Sequence, residues 1–359
     1  MNNNSIPVSK RAKLNLFRHY KKIQTRLHNL TYFFWECTLR CNLNCLHCGS
    51  DCISNYSQPD MPLEDFLKVA DEVKTQFDPK TVLIAITGGE PLLRKDLEKC
   101  GDELQERGFP WGMVSNGFLM SNLKYDALIN SGLKSLTISL DGLEKNHNWL
   151  RNHNESFKKA VDAISYIADK NNSSFDIVTC VNQKNITELE KIRELLLTLK
   201  VKRWRLFTIF PKGRAKDIKE FELKNKQLVY LMDFISSTRK DGKIKAEFSC
   251  EGFLGNYENE VRDGIYFCRA GINVASVLAD GSISACPSLR GDFIQGNIYK
   301  DKFLDVWNNK FEIMRKRDWT KKGECSKCKV YKWCEGNGLH LHDELTGKLL
   351  YCHYNNLKH

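Results

Sequence analysis

The stretch Cys41-Asn42-Leu43-Asn44-Cys45-Leu46-His47-Cys48 sets three thiols within eight residues, at spacings of four and three. On a short loop, that spacing lets all three sulfurs turn toward one point. Three thiolates can hold three irons of a [4Fe–4S] cube and leave the fourth iron without a protein ligand, whereas closed clusters take four cysteines. An open iron can bind a substrate or cofactor directly. The competing reading is a zinc site, which needs four ligands and would draw the fourth from His47 or Cys52.

The cysteine count bears on this choice. Fourteen cysteines occur in 359 residues. Met1-Asn2-Asn3-Asn4 leads into a basic segment without an apolar h-region, so no export signal is expected and a cytoplasmic setting is. In a reducing compartment such cysteines point to metal or Fe–S ligation rather than a disulfide framework. Apolar residues make up 42% of the chain, as in globular proteins. The formal net charge of +11 suits an acidic partner, such as a flavodoxin- or ferredoxin-like electron donor, and equally suits simple solubility. No nucleic-acid partner is expected.

Outward from the loop, the chain divides into a basic amphipathic helix (1–30), an alternating β/α region (31–210), a charged, mostly helical bridge (211–249) and a cysteine-rich region (250–359). In the first, Leu14, Phe17, Tyr20, Ile23 and Leu27 recur at helical spacing with cations on the other faces. Such a helix can lie on an anionic membrane or pack on a neighbouring domain, and packing is the expectation. In the second, strand-like runs at 31–36, 81–87, 111–115, 135–140, 176–181 and 203–209 alternate with helical stripes. Six such units with right-handed crossovers make a parallel, curved sheet, short of an eight-strand barrel.

Function in such sheets sits at the C-terminal ends of the strands. The cysteine loop follows the first strand and Gly88-Gly89-Glu90-Pro91 the second. Ser115-Asn116-Gly117 follows the third, Ser139-Leu140-Asp141-Gly142 the fourth and Val181-Asn182 the fifth. All fall at one rim. The paired glycines permit close backbone approach and positive φ, and the proline fixes the turn.

With these motifs in place the chain resembles the radical SAM superfamily, whose signature is C-x3-C-x2-C. The resemblance implies a partial (β/α)6 barrel and a [4Fe–4S] cluster on Cys41, Cys45 and Cys48. It also implies S-adenosylmethionine bound through its amino and carboxylate groups at the open iron, and one-electron cleavage to a 5′-deoxyadenosyl radical. By the same likeness His47 packs against the adenine, and Gly88, Gly89, Glu90 and Pro91 hold the methionine amino group. Ser115, Asn116, Ser139 and Val181 line the nucleoside and carboxylate side, and Arg151 pairs with the carboxylate.

The C-terminal pattern Cys268…Cys286…Cys325-x2-Cys328-x5-Cys334…Cys352 resembles the SPASM domain, which binds auxiliary [4Fe–4S] clusters in peptide and protein maturases. The resemblance implies one complete site on Cys325, Cys328, Cys334 and Cys352. A zinc ribbon is the alternative there. Gly338 stands where that family has another cysteine, leaving Cys268 and Cys286, with Cys250 a distant third, for the first auxiliary cluster; its loss is the plainer reading. Pro287 stands where sulfatase-maturing relatives have an aspartate, so formylglycine formation is not expected. Cys37, Cys52, Cys100 and Cys180 lie outside these motifs, and Cys37 and Cys52 flank the first loop. The lead-in 34–40 and the exit 48–52 also resemble a subgroup encoded beside small lipoproteins. The overall expectation is a radical SAM enzyme acting on a peptide or protein; a small-molecule substrate and a non-catalytic zinc or Fe–S adaptor are the alternatives.

Overall fold

The computed structural model describes residues 6–249 and 251–358. Six strands carry the alternating region: β1 (Tyr32–Glu36), β2 (Leu83–Thr87), β3 (Trp111–Ser115), β4 (Leu133–Ser139), β5 (Ser174–Val181) and β6 (Arg203–Thr208). Each pairs in parallel with the next. Between them run helices that bury one stripe each, such as Leu63, Phe66, Leu67, Ala70 and Val73 on Leu63–Lys74, as covered parallel sheets require. The apolar runs of Ile84, Ile86, Trp111, Leu136, Ile138, Ile177 and Leu206 are buried between the two layers.

The sheet continues at both edges. The segment read as a bridge supplies a helix, Asn225–Asp241, and a seventh parallel strand, β7 (Lys245–Phe248), paired with β6. A separate bridge is therefore not what 211–249 forms. Leu228, Leu231, Met232, Phe234 and Ile235 on that helix are buried, so its stripe joins the barrel core. At the other edge, β8 (Val274–Val277) pairs in parallel with β1, from Tyr32↔Val274 to Trp35↔Val277. It is followed by the antiparallel strands β9 (Ser282–Ser284) and β10 (Gly296–Asn297). The cysteine-rich region thus shares one ten-stranded sheet with the barrel.

The N-terminal helix α1 (Val8–Leu27) packs on the C-terminal region, but not by the stripe that the spacing predicts. Leu14 and Lys21 are buried, while Tyr20, Ile23 and Leu27 are 40%, 56% and 54% exposed. A cation takes the expected apolar place because the Lys21 ammonium is satisfied there. It donates to Trp333 O and Glu335 Oε2, both at 2.7 Å. Asn15 Oδ1 accepts from the Trp333 indole at 2.8 Å, and Phe17 meets Phe267 edge-on. No described helix is long and apolar enough to cross a membrane.

Candidate active site

The strand ends assemble the rim motifs as the topology requires. The backbone after β1 runs against the turn after β2: Gly89 N–H donates to Thr38 O at 2.8 Å and Glu90 N–H to Arg40 O at 2.9 Å. A Cβ on Gly88, whose φ is +141°, or on Gly89 would strike Thr38 O or Arg40 O. The close approach that these glycines permit is therefore made by the lead-in to the cysteine loop itself.

Glu90 is fully buried and ties the ends of β2 and β3 together. Its Oε1 accepts from Ser115 Oγ at 2.9 Å and Leu92 N at 3.1 Å, and its Oε2 from Asn116 N at 2.8 Å. Burial pushes its carboxyl up to about 7, against the pull of those donors. Ser115 and Glu90 thus spend these side-chain contacts on each other. Asn116 reaches further: its amide donates to Asn42 Oδ1 at 2.9 Å and lies 3.9 Å from Cys41 Sγ.

Asp141, at the end of β4, organises the opposite side. Its Oδ2 accepts from Arg151 Nε and lies 2.6 Å from both Nε and Nη2 of that guanidinium. Oδ1 accepts from Cys180 N at 2.8 Å, and its own N–H donates to His147 Nδ1 at 3.0 Å. Burial works to raise Asp141, but Arg151 overrides it and holds the carboxyl below its usual range. Arg151 also lies 3.8 Å from Cys45 Sγ through Nη1. Ser139 is buried at the same strand end, and the Val181 side chain is fully buried in the core.

The cysteine loop is held between these sides. Cys41 N donates to Ile53 O at 3.0 Å, and Leu46 N to Leu150 O at 2.9 Å. Arg214, in the loop after β6, clamps it from above: Nε donates to Cys45 O at 2.7 Å and Nη1 to Cys52 O at 3.0 Å and Asp51 Oδ1 at 2.8 Å. Arg214 N also donates to Cys48 O at 3.0 Å, and Gly213, with φ +55°, stands where a Cβ would strike that carbonyl. Sequence reasoning passed over Arg214 because it lay in the supposed bridge; only the short spacing after the sixth strand hints at it. From the C-terminal region, Arg290 reaches Glu36, at the end of β1, and Ser50 Oγ at 3.2 Å. Lys212 pairs with Glu344 at 2.8 Å.

Within the loop, burial raises the Cys41 thiol to about 12 and also raises Cys45, partly offset by Arg151. Cys48 lies below the usual thiol range because it accepts from the Cys52 thiol, then from Cys52 N–H at 3.4 Å, and faces Arg214. Cys37 belongs to the main core rather than to this loop. Burial lowers His47 to about 4; it is neutral at pH 7. Its Nδ1 and the Asn42 amide nitrogen are buried.

Among the described residues, the three ligand atoms within 4.8 Å of one another belong to His47, Asp141 and Cys180. Arg151 already occupies that carboxylate, so this trio is an ion-paired constellation rather than a cation site. The thiols of Cys41, Cys45 and Cys48 lie close enough that Cys45 and Cys48 both raise Cys41. Cys325, Cys328, Cys334 and Cys352 also converge: Cys334 is raised by burial and then by the other three. Cys268 is elsewhere. Burial works to raise it, but the Arg317 guanidinium and Leu339 N–H hold it below the usual thiol range. Cys250 lies outside the described residues.

The profile of the Radical SAM superfamily matches residues 35–196, and that of the SPASM iron-sulfur cluster-binding domain matches residues 268–329. The AdoMet-dependent heme synthase of Methanosarcina barkeri is 26% identical over 320 residues, covering 84% of this chain and 89% of that protein. The mycofactocin maturase MftC of Mycobacterium tuberculosis is 26% identical over 310 residues, covering 84% and 76%. Among solved structures, Streptococcus suis SuiB bound to S-adenosylmethionine superposes with a TM-score of 0.70 at 17% identity, covering 91% of this chain and 77% of that one.

Proposed function

We propose that this chain, which belongs to the radical SAM superfamily and carries a C-terminal SPASM domain, abstracts a hydrogen atom from a peptide or protein substrate and so starts its covalent modification. As a radical SAM enzyme it uses a [4Fe–4S] cluster and S-adenosylmethionine, and the SPASM domain brings auxiliary Fe–S binding. Together the cluster and S-adenosylmethionine supply the one-electron sulfonium cleavage that permits hydrogen abstraction; the protein orients and shields.

In this reading Cys41, Cys45 and Cys48 hold the cluster. The observation that carries it is the loop itself: three mutually influencing thiols at the C-terminal rim of a parallel sheet, with Arg151 3.8 Å from Cys45 Sγ and the Asn116 amide 3.9 Å from Cys41 Sγ. Arg151 presents its guanidinium to Cys45 and to the adjoining space, where it would pair with the methionine carboxylate in competition with Asp141. Neutral His47 offers an apolar ring face to the adenine. The backbone of Gly88, Gly89 and Pro91 and the side chains of Asn116 and Ser139 complete the rim, while Ser115, Glu90 and Val181 act by positioning it. Cys325, Cys328, Cys334 and Cys352 hold an auxiliary cluster. The engagement of Cys268 with Arg317, which donates to Cys268 O at 3.1 Å, supports loss of the first auxiliary site. The surplus of cations suits an acidic flavodoxin- or ferredoxin-like donor.

A maturase among the relatives, and SuiB solved bound to the precursor peptide SuiA, support a peptide as substrate. The heme synthases, which match over as much of this chain, support a second reading, a porphyrin-type small molecule. Anaerobic reconstitution followed by dithionite and S-adenosylmethionine tests the shared core: absorption near 400 nm and release of 5′-deoxyadenosine are expected, and a colourless zinc protein refutes it. Mass spectrometry of candidate peptides and of porphyrins incubated with the enzyme then separates the two substrate classes.

A further inference from the structure

We propose that α1 is a membrane-surface helix, which lays the protein against an anionic bilayer through a face that the fold leaves bare. Leu16, Tyr20, Ile23 and Leu27 are spaced by four, three and four residues, which places them within about 60° of arc at 100° per residue. They are 74%, 40%, 56% and 54% exposed. The face that holds α1 to the protein, Leu14 and Lys21, lies on the far side of the helix. The outward stripe is therefore not a poorly packed core face; the helix is anchored by a different one.

The arc beside this stripe is cationic. Arg11, Lys22 and Arg26 fall within about 60° of one another and are exposed, as is Lys13 on the stripe's other flank. The helix carries seven Lys or Arg and no Asp or Glu. Lys10 and Lys21 pair within the chain, with Glu260 and Glu335. Among the described residues, Arg11, Lys13, Lys22 and Arg26 have no such acidic partner. Beside α1, Lys332 sits over the ring of Trp333, the residue that α1 grips.

Charge selects the occupant. A second copy of the chain would bring the same unpaired cations against these, so like charges oppose that contact. An acidic soluble protein would answer the cations and leave the aliphatic stripe in water unless it supplied its own apolar face. A bilayer rich in anionic lipid answers both at once: long basic side chains rise to the phosphates while Leu16, Tyr20, Ile23 and Leu27 dip toward the acyl boundary. With no described helix able to span a membrane, the contact is one of lying on the surface. It does not depend on the substrate reading above, and vesicle binding needs no turnover.

The test is flotation of the full-length, cluster-loaded protein with vesicles of one part phosphatidylglycerol to three parts phosphatidylcholine. Partitioning about tenfold stronger than onto phosphatidylcholine alone is expected, and about 0.5 M salt weakens it. The variants L16Q/I23Q and K22Q/R26Q each lower partitioning about tenfold. Both alter exposed positions, and unchanged urea midpoints and 400 nm absorption verify their folding. Absence of binding to the anionic vesicles overturns the proposal. So does binding that L16Q/I23Q leaves unchanged, since another surface then does the work. A dimer in sedimentation that L16Q/I23Q dissolves, without any vesicle binding, assigns the stripe to a second copy and likewise overturns it.

Discussion

Asp141→Asn tests whether the rim opposite the Gly-Gly-Glu-Pro turn is organised by charge. Asp141 is fully buried, and the Arg151 side chain is 10% exposed. Neither ion has water to fall back on. Asn keeps the shape and one acceptor oxygen but removes the charge, and it turns an amide N–H toward either the guanidinium or Cys180 N–H. Breaking one side of a buried pair costs about 3–5 kcal/mol. Cys45 Sγ, 3.8 Å from Arg151, and the retained oxygen place this case near the lower end, about 3 kcal/mol, or roughly 150-fold in the folding equilibrium. The assay is equilibrium urea unfolding of the cluster-free, reduced protein under anaerobic conditions. The double variant D141N/R151M removes the stranded cation as well, so it should regain about half of the loss, making the two changes clearly non-additive. A D141N midpoint indistinguishable from that of the unaltered protein, or a double variant as unstable as the sum of the singles, would refute the view that this pair carries the rim.

Replacing Cys41, Cys45 and Cys48 together by Ala should abolish release of 5′-deoxyadenosine while leaving the iron bound at the C-terminal cysteines; persistence of cleavage in that variant overturns the ligand assignment. Arg214→Ala removes two hydrogen bonds to loop carbonyls and a half-solvated pair with Asp51, together about 2 kcal/mol. It should lower iron incorporation and speed cluster loss to a chelator, and destabilise the cluster-free chain in urea by no more than that amount. His147, held to about 3 by burial, prefers to be neutral in the fold. Its pKa is depressed from an unfolded value near 6.5, so it adds stability above that pH and withdraws it as the pH falls toward 3, about 5 kcal/mol in all. In H147Q, whose side-chain oxygen can still accept from Asp141 N–H, the acid limb of the stability profile should flatten; an unchanged limb removes His147 as its cause.

The barrel was legible because buried parallel strands are short, β-branched and separated by stripes of helical period, and because their C-terminal ends gather on one rim. The cysteine loop needed only its own spacing. Glu90 shows where that reading stops: the motif located it, but its hydrogen bonds to Ser115 and Asn116 come from strand neighbours, which no local pattern reveals. Arg214 and Arg290 were missed because each acts on a loop more than a hundred residues away, through backbone carbonyls and a buried carboxylate that leave no mark in composition. The helix α1 was found from its period and misoriented by it. Its apolar spacing is genuine, but a buried Lys21 with two acceptors outbids that stripe for the protein side. The segment 211–249 was misjudged because β7 is four residues long and charged at its start, too short for alternation to register.

The pairing of β8 with β1 has a consequence for how such a chain can be taken apart. A protein cut after residue 249 would bare the backbone of Tyr32–Trp35, a ready template for stray strands from other molecules, immediately beneath the loop that carries the first three thiols. The cysteine-rich region is thus the seam that closes the barrel's open flank, and an exchange of that region between kindred proteins succeeds only when the incoming piece brings a strand cut to the same edge.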